Sequence, residues 1–180
     1  MSDLKKYDHN PPHLFKSNCK YFITASTFEK ISYLKSDSAK QVLFKYIKKS
    51  VLNFKWILED WVILNNHYHL MLESPDNPEN LGKIINNIHK YSAIWINKNI
   101  LNTASKPIWF NYWDKCLTFE RSYFTRLNYI WYNPVKHKYV DEPQNWKFGS
   151  FRERFNEDKK YLEKIRKDFP FGNLKIDDDF

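Results

Sequence analysis

Glycine is scarce in this 180-residue chain, with only Gly82, Gly149 and Gly172. An average chain of this length would carry about a dozen. No two of the three lie close together, which excludes a Walker loop and a dinucleotide-binding fingerprint, since both need clustered glycines for the backbone to approach phosphate. Cysteine is scarcer still. Cys19 and Cys116 stand far apart, which excludes a four-cysteine zinc site and a disulfide scaffold. No run reaches the roughly 20 apolar residues of a membrane span, and the polar stretch Met1 to Pro12 does not read as a signal peptide. The expectation is a cytoplasmic protein with reduced thiols and no membrane partner. Arginine is also rare. Only Arg121, Arg126, Arg152, Arg154 and Arg166 stand among 29 basic residues, the rest being lysine. With lysine and asparagine abundant together, the net charge of +8 is a weaker pointer to nucleic acid than a basic balance usually is. The charge is more positive still once the acidic end, Asp177 to Asp179, is set aside; that end reads as mobile.

Aromatic residues are plentiful: 7 Trp, 12 Tyr and 14 Phe. They supply core and, in principle, stacking platforms for unpaired bases. The length suggests one domain.

Local patterns give an element order. Lys20 to Phe28 alternates and is β-branched, as a strand does. Ser36 or Ser38 can cap a helix that carries Ala39, Val42, Leu43, Tyr46, Ile47 and Val51 at helical spacing. Lys40, Lys45, Lys48 and Lys49 read as its solvated side. Phe54 to Leu64 is a second strand with a bulge expected near Glu59–Asp60. Asn65–Asn66 is a turn pair, and His67 to Glu73 a third strand. Asn77 can cap, and Pro78 can open, a helix over Glu79 to Asn99 with Leu81, Ile84, Ile85, Ile88, Ser92, Trp95 and Ile96 as its apolar stripe. A fourth strand falls within Ile108 to Thr118. Ser122 to about Tyr132 reads as a short helix stopped by Pro134. A loop with Pro143, Trp146 and Phe148 follows, then a polar helical segment around Asn156 to Lys167. The order strand, helix, strand, strand, helix, strand is that of an α+β, ferredoxin-like fold. Its antiparallel sheet carries two helices on one face and leaves the other for ligands or an added helix.

Two segments carry chemistry. In Asn66-His67-Tyr68-His69-Leu70-Met71-Leu72, residues two apart share a face of a strand. His67 and His69 therefore present two imidazoles together on the open face, while Tyr68, Leu70 and Leu72 turn to the other. Paired neutral imidazoles suit a divalent metal; two strand histidines without a ligand are the plain alternative. A third alternating histidine is absent, since position 71 is Met. No H-E-x-x-H helix exists, Asp60 and Glu73 lack convergent partners, and no nucleophile elbow is present. In Tyr129-Ile130-Trp131-Tyr132-Asn133-Pro134-Val135, Tyr129 and Asn133 are four apart. On a helix that places a phenol and an amide oxygen on one face, although Pro134 biases Asn133 away from helical geometry. An aromatic helix packed on the sheet, with Asn-Pro as its stop, is the plain alternative here.

Together the two segments resemble those of the REP-associated tyrosine transposases, a branch of the single-tyrosine transposases within the HUH endonuclease superfamily. The resemblance spans Tyr21 to Phe155. It rests on Asn66-His67-Tyr68-His69, on Leu81 to Asn97, on the Trp-led strand Trp109 to Phe119, on Tyr129-Ile130 with Asn133-Pro134-Val135, and on Trp146 to Arg152. Asn65 and His137-Lys138 depart from the family pattern, as a divergent branch would. The resemblance implies a transposase domain over 1–155 with a polar extension over 156–180. It implies that His67, His69 and Asn133 hold one Mg²⁺ or Mn²⁺, and that Tyr129 attacks a scissile phosphate of single-stranded, hairpin-forming repeated palindromic DNA to give a 5′-phosphotyrosine and a free 3′-hydroxyl. A phenol is mostly protonated at neutral pH, and no base for it is legible. Candidate DNA contacts are Trp109, Tyr112, Trp113, Lys115, Arg121, Arg126, Lys136 and Lys138, each with core packing or solvation as the alternative. Two competing functions stand: a catalytically silent DNA- or RNA-binding regulator on the same sheet, and a phosphoesterase without a covalent link. Both a monomer and a homodimer fit.

Overall fold

The structure is a computed structural model that describes residues 16–172 and residue 174. The polar start and the acidic end discussed above lie outside the described residues. Four strands, β1 (Lys20–Thr27), β2 (Ile57–Ile63), β3 (His67–Glu73) and β4 (Trp109–Leu117), form one sheet in the order β2-β3-β1-β4. All three pairings are antiparallel. Helices α1 (Asp37–Asn53) and α2 (Leu81–Ile96) cover one face. Helices α3 (Glu120–Lys136), α4 (Phe151–Glu157) and α5 (Lys159–Asp168) cover the other. This is the ferredoxin-like arrangement with the second face closed by helices.

The sheet builds two cores by alternation. Tyr21, Ile23 and Ala25 of β1 meet Tyr68, Leu70 and Leu72 of β3 beneath α1 and α2. Phe22 pairs with Met71, Thr24 with His69 and Ser26 with His67 on the opposite face. The expected bulge is present: the β2–β3 register shifts between Leu58 and Asp60. Its effect is directional. Leu58 turns to the first core, and the extra residue sends Asp60 and Val62 to the second face.

Capping explains α1. Ser36 Oγ accepts from the Ala39 N–H, and Asp37 sits in the first turn, where a negative charge suits the helix dipole. Ala39, Leu43, Ile47 and Val51 are buried at four-residue spacing. Lys40 does not belong to a solvated side. It is buried, and its Nζ donates to the Lys35 carbonyl (3.0 Å) and to Asn65 Oδ1 (2.9 Å). Burial lowers its pKa. The reason is its place at the start of α1, where the ammonium lies 5.6 Å and 5.4 Å from the Trp146 and Phe148 ring centres and reaches the β2–β3 turn.

Two helix boundaries differ from the sequence reading. Asn80, not Asn77, precedes α2, and its side chain makes no cap. Pro134 does not end α3, which runs on to Lys136. The proline lacks only one N–H, and Tyr129, Ile130, Trp131, Asn133 and Pro134 are all buried; that packing outweighs the loss of a single backbone bond. The segment beyond 155 buries Leu162 and Ile165 in the second core. The loop after Trp146 hides a further helix, α4, held by a polar clamp. Asp60, fully buried, accepts from Trp131 Nε1 (2.7 Å), Ser150 Oγ (2.8 Å) and Arg154 Nε (2.8 Å). Burial pushes its carboxyl upward in pKa against those donors.

Candidate active site

The second face carries the candidate side chains, and they are enclosed rather than open. His67 and His69 are buried, at 1% and 0% exposure, because α3 lies across the strand that bears them. The expectation of an open imidazole face fails for that reason. Their convergence holds: the two rings lie 5.2 Å apart between centroids.

Because α3 stays helical through Pro134, Tyr129 and Asn133 project from one face onto the histidines. Asn133 Oδ1 lies 3.1 Å from His67 Nε2. The Tyr129 ring meets His69 edge-on at 5.2 Å and Phe22 at 6.3 Å. Phe22 in turn stacks on His69 at 5.5 Å. The phenol ring is 1% exposed, with Phe171 against it at 5.7 Å. All four residues singled out from the sequence therefore meet in one place, from two elements of one chain.

Four supporting contacts were not legible in sequence. Lys136 Nζ donates to the Tyr129 hydroxyl at 3.2 Å and lies 4.8 Å from its ring centre. The two residues are seven apart, two turns along the helix, so the pairing has meaning only if the helix crosses Pro134. His67 Nδ1 lies 2.7 Å from Asn66 Oδ1, and His69 Nδ1 lies 2.7 Å from Thr24 Oγ1. The His137 ring approaches His67 at 4.9 Å.

The DNA-contact candidates divide. Lys115, Arg121, Lys136 and Lys138 are exposed, and Trp113 is half-buried beside Phe110 at 6.0 Å. Trp109 is not a free platform. Its ring stacks on His89 at 4.4 Å and its Nε1 donates to Ser92 Oγ, beneath α2 in the first core. Tyr112 is half-buried and packs against the same core, and burial raises its pKa. Arg126 is buried, donates to the Ser122 carbonyl and hydroxyl, and lies over Phe22 at 5.8 Å; burial lowers its pKa. Its position on α3 turns it inward, over the Phe22 ring that stacks on His69.

Among the described residues no cluster of three His, Cys, Asp or Glu exists to hold a metal. The donor set is instead two imidazoles and one amide oxygen. A nitrogen and an oxygen 3.1 Å apart match neighbouring ligands of an octahedral ion whose bonds are about 2.1 Å, so these residues fit a small divalent cation.

The sheet thus sets two histidines of one strand against a tyrosine and an asparagine of a covering helix. Residues 15–141 match the IS200-like transposase family, and the chain belongs to that family. Within it the chain resembles the REP-associated tyrosine transposases. A Haemophilus influenzae protein named "Putative REP-associated tyrosine transposase" is 28% identical over 130 residues, covering 64% of this chain and 74% of that protein. The REP-associated tyrosine transposase of Escherichia coli is 27% identical over 95 residues, 51% of this chain and 52% of that protein, so the match spans about half of it. The fold matches a solved REP-associated tyrosine transposase bound to a REP hairpin, with a TM-score of 0.69 at 21% identity over 80% of this chain and 83% of the other. Among the described residues no helix is long and apolar enough to cross a membrane.

Proposed function

We propose that this transposase cleaves and rejoins single-stranded DNA at hairpin-forming repeated palindromic elements, with Tyr129 as nucleophile. The observation that carries the reading is the meeting of Tyr129, Asn133, His67 and His69 within one enclosed site. His67, His69 and Asn133 would hold one Mg²⁺ or Mn²⁺, which as a Lewis acid polarises a phosphate oxygen. Tyr129 Oη forms a bond to phosphorus as the P–O3′ bond breaks. The phenol proton leaves and the departing 3′ oxygen takes one up. The ammonium of Lys136, which donates to that phenol oxygen, favours the negative charge that develops there. The phosphotyrosine keeps the bond energy, so a 3′-hydroxyl can reverse the step and join strands without a nucleotide cofactor. Lys115, Arg121 and Lys138 are the exposed cations for the phosphate backbone, and Trp113 is the aromatic for an unpaired base. One chain supplies every group, so a monomer suffices. The REP hairpin held by the solved relative supports hairpin DNA as substrate class.

The test uses single-stranded hairpin oligonucleotides labelled at either end, with Mg²⁺, Mn²⁺ or EDTA. A denaturing gel should show a protein–DNA adduct that carries the 3′ portion, forms only with metal and vanishes in Tyr129→Phe. Cleavage that persists in that variant would instead establish a phosphoesterase. Hairpin binding with no cleavage under any metal would establish a silent regulator.

A further inference from the structure

We infer that Asn66 is a positioning residue that fixes His67 in the tautomer protonated at Nδ1, so that the Nε2 lone pair is presented to the cation. The inference rests on the metal-binding reading above and explains how this chain prepares for it.

The argument starts from the two unlike ends of a carboxamide. Asn66 Nδ2 donates to the Lys30 carbonyl at 3.1 Å. That contact fixes which end faces His67: the Asn66 oxygen, 2.7 Å from Nδ1. An amide oxygen can only accept, so Nδ1 carries the proton. A neutral imidazole has one N–H, and Nε2 is then a lone pair. It faces the Asn133 carboxamide, whose Oδ1 lies 3.1 Å away.

The surroundings hold Asn66 in place. Its backbone carbonyl accepts from the Thr27 N–H at 2.8 Å. Its neighbour Asn65 is gripped by the buried Lys40 ammonium and by the Leu34 N–H. The Lys30 carbonyl is offered by a turn in which Glu29 and Lys30 have φ of 51° and 56°. Non-glycine residues adopt that region only at an energetic cost. A strained turn aimed at the amide of Asn66 is what an orienting device requires. His69 has the parallel contact, Nδ1 to Thr24 Oγ1 at 2.7 Å, but a hydroxyl can donate or accept, so the assignment is made for His67. A histidine left to itself favours the other tautomer, with the proton on the nitrogen needed for the metal.

Long-range ¹⁵N–¹H spectra of the metal-free protein at about pH 8, above the ordinary histidine range, read the tautomer directly. His67 should show a protonated Nδ1 and a bare Nε2. Asn66→Leu should lose that pattern and bind Mn²⁺ about 10–100-fold more weakly by titration calorimetry, whereas Asn66→Asp, which keeps an acceptor, should retain the pattern. Protonation at Nε2, or at both nitrogens, in the unaltered protein overturns the inference whether or not any variant folds. So does an unchanged tautomer in Asn66→Leu. If the unaltered protein shows the Nδ1–H pattern yet binds no Mn²⁺, the tautomer assignment stands and the metal-binding reading falls.

Discussion

The two faces of the sheet share the same strands and differ in what they bury. Under α1 and α2 the strands contribute Tyr21, Ile23, Ala25, Tyr68, Leu70 and Leu72, and the helices answer with Leu43, Ile47, Ile84, Ile85 and Ile88. Under α3 the same strands contribute Thr24, Ser26, His67 and His69, all buried, beside Phe22 and Met71. One face is an apolar core with a few satisfied polar tips. The other places polar groups at comparable depth, and burying them costs free energy unless each finds a partner. The first face makes the sheet stable, and the second uses that stability to hold a polar cluster out of bulk water.

Two buried tyrosines give the sharpest way to break the contrast. Tyr68 and Tyr129 are both about fully enclosed, on opposite faces. Tyr129→Phe should abolish the covalent adduct completely while changing stability by only about 1 kcal/mol, since its hydroxyl meets an exposed lysine. Tyr68→Phe should do the reverse. Its hydroxyl bonds His89 Nε2 at 3.0 Å, and stranding that nitrogen should cost about 1–3 kcal/mol with adduct formation intact. Thermal melts and the labelled-hairpin gel, run on both variants, check the pair; loss of the adduct in Tyr68→Phe would dissolve the division between the faces.

The second face also has a polar cluster that clamps α4, and its removal should have a smaller effect than the loss of the Tyr129 hydroxyl has on adduct formation. Arg154→Met strands the fully buried Asp60 carboxylate. Breaking such a pair costs about 3–5 kcal/mol when both partners are buried; Arg154 is one-third exposed, so about 3 kcal/mol is expected by denaturant titration. The loss should shrink as pH falls, because a protonated Asp60 no longer needs its cation. A deficit that stays constant across the acid range would show that Trp131 and Ser150 alone satisfy the carboxylate.

Most of the framework was legible in the sequence because its signals are local. Alternation in His67 to Glu73 gave β3, the Glu59–Asp60 irregularity gave the bulge, and the four-residue spacing of Tyr129 and Asn133 gave the shared helix face. What stayed hidden depends on distant partners. Asp60 finds Trp131, Ser150 and Arg154 at separations of 71, 90 and 94 residues, and no periodicity announces them. Arg126, Lys40 and Trp109 carry the residue types of a binding surface, yet tertiary packing turns each inward. Sequence alone leaves Lys136 among generic phosphate contacts, because a helix ended at Tyr132 cannot bring it back to Tyr129. The chemistry of a residue is written in its type, whereas the face it joins depends on packing that a single proline rule cannot foresee.

Histidines occupy both faces, and pH separates them with the smallest effect. His89, on the first face, stacks on Trp109 and bonds the Tyr68 hydroxyl. Burial depresses its pKa to about 3 from the ordinary 6.5. A histidine whose folded value lies below its unfolded one contributes stability that is whole above about pH 6.5 and drains away as pH falls toward 3, because the unfolded chain takes up the proton first. His89→Gln removes that titration while leaving a side chain able to bond the Tyr68 hydroxyl. Its stability should therefore fall less steeply than that of the unaltered protein between pH 6.5 and 3, with little difference at pH 8 or so, where both imidazole states agree. Denaturant midpoints measured across that window test this. Parallel acid limbs for the two proteins would mean that the acid sensitivity of the fold arises elsewhere, and that the first face is as indifferent to protons as its apolar composition suggests.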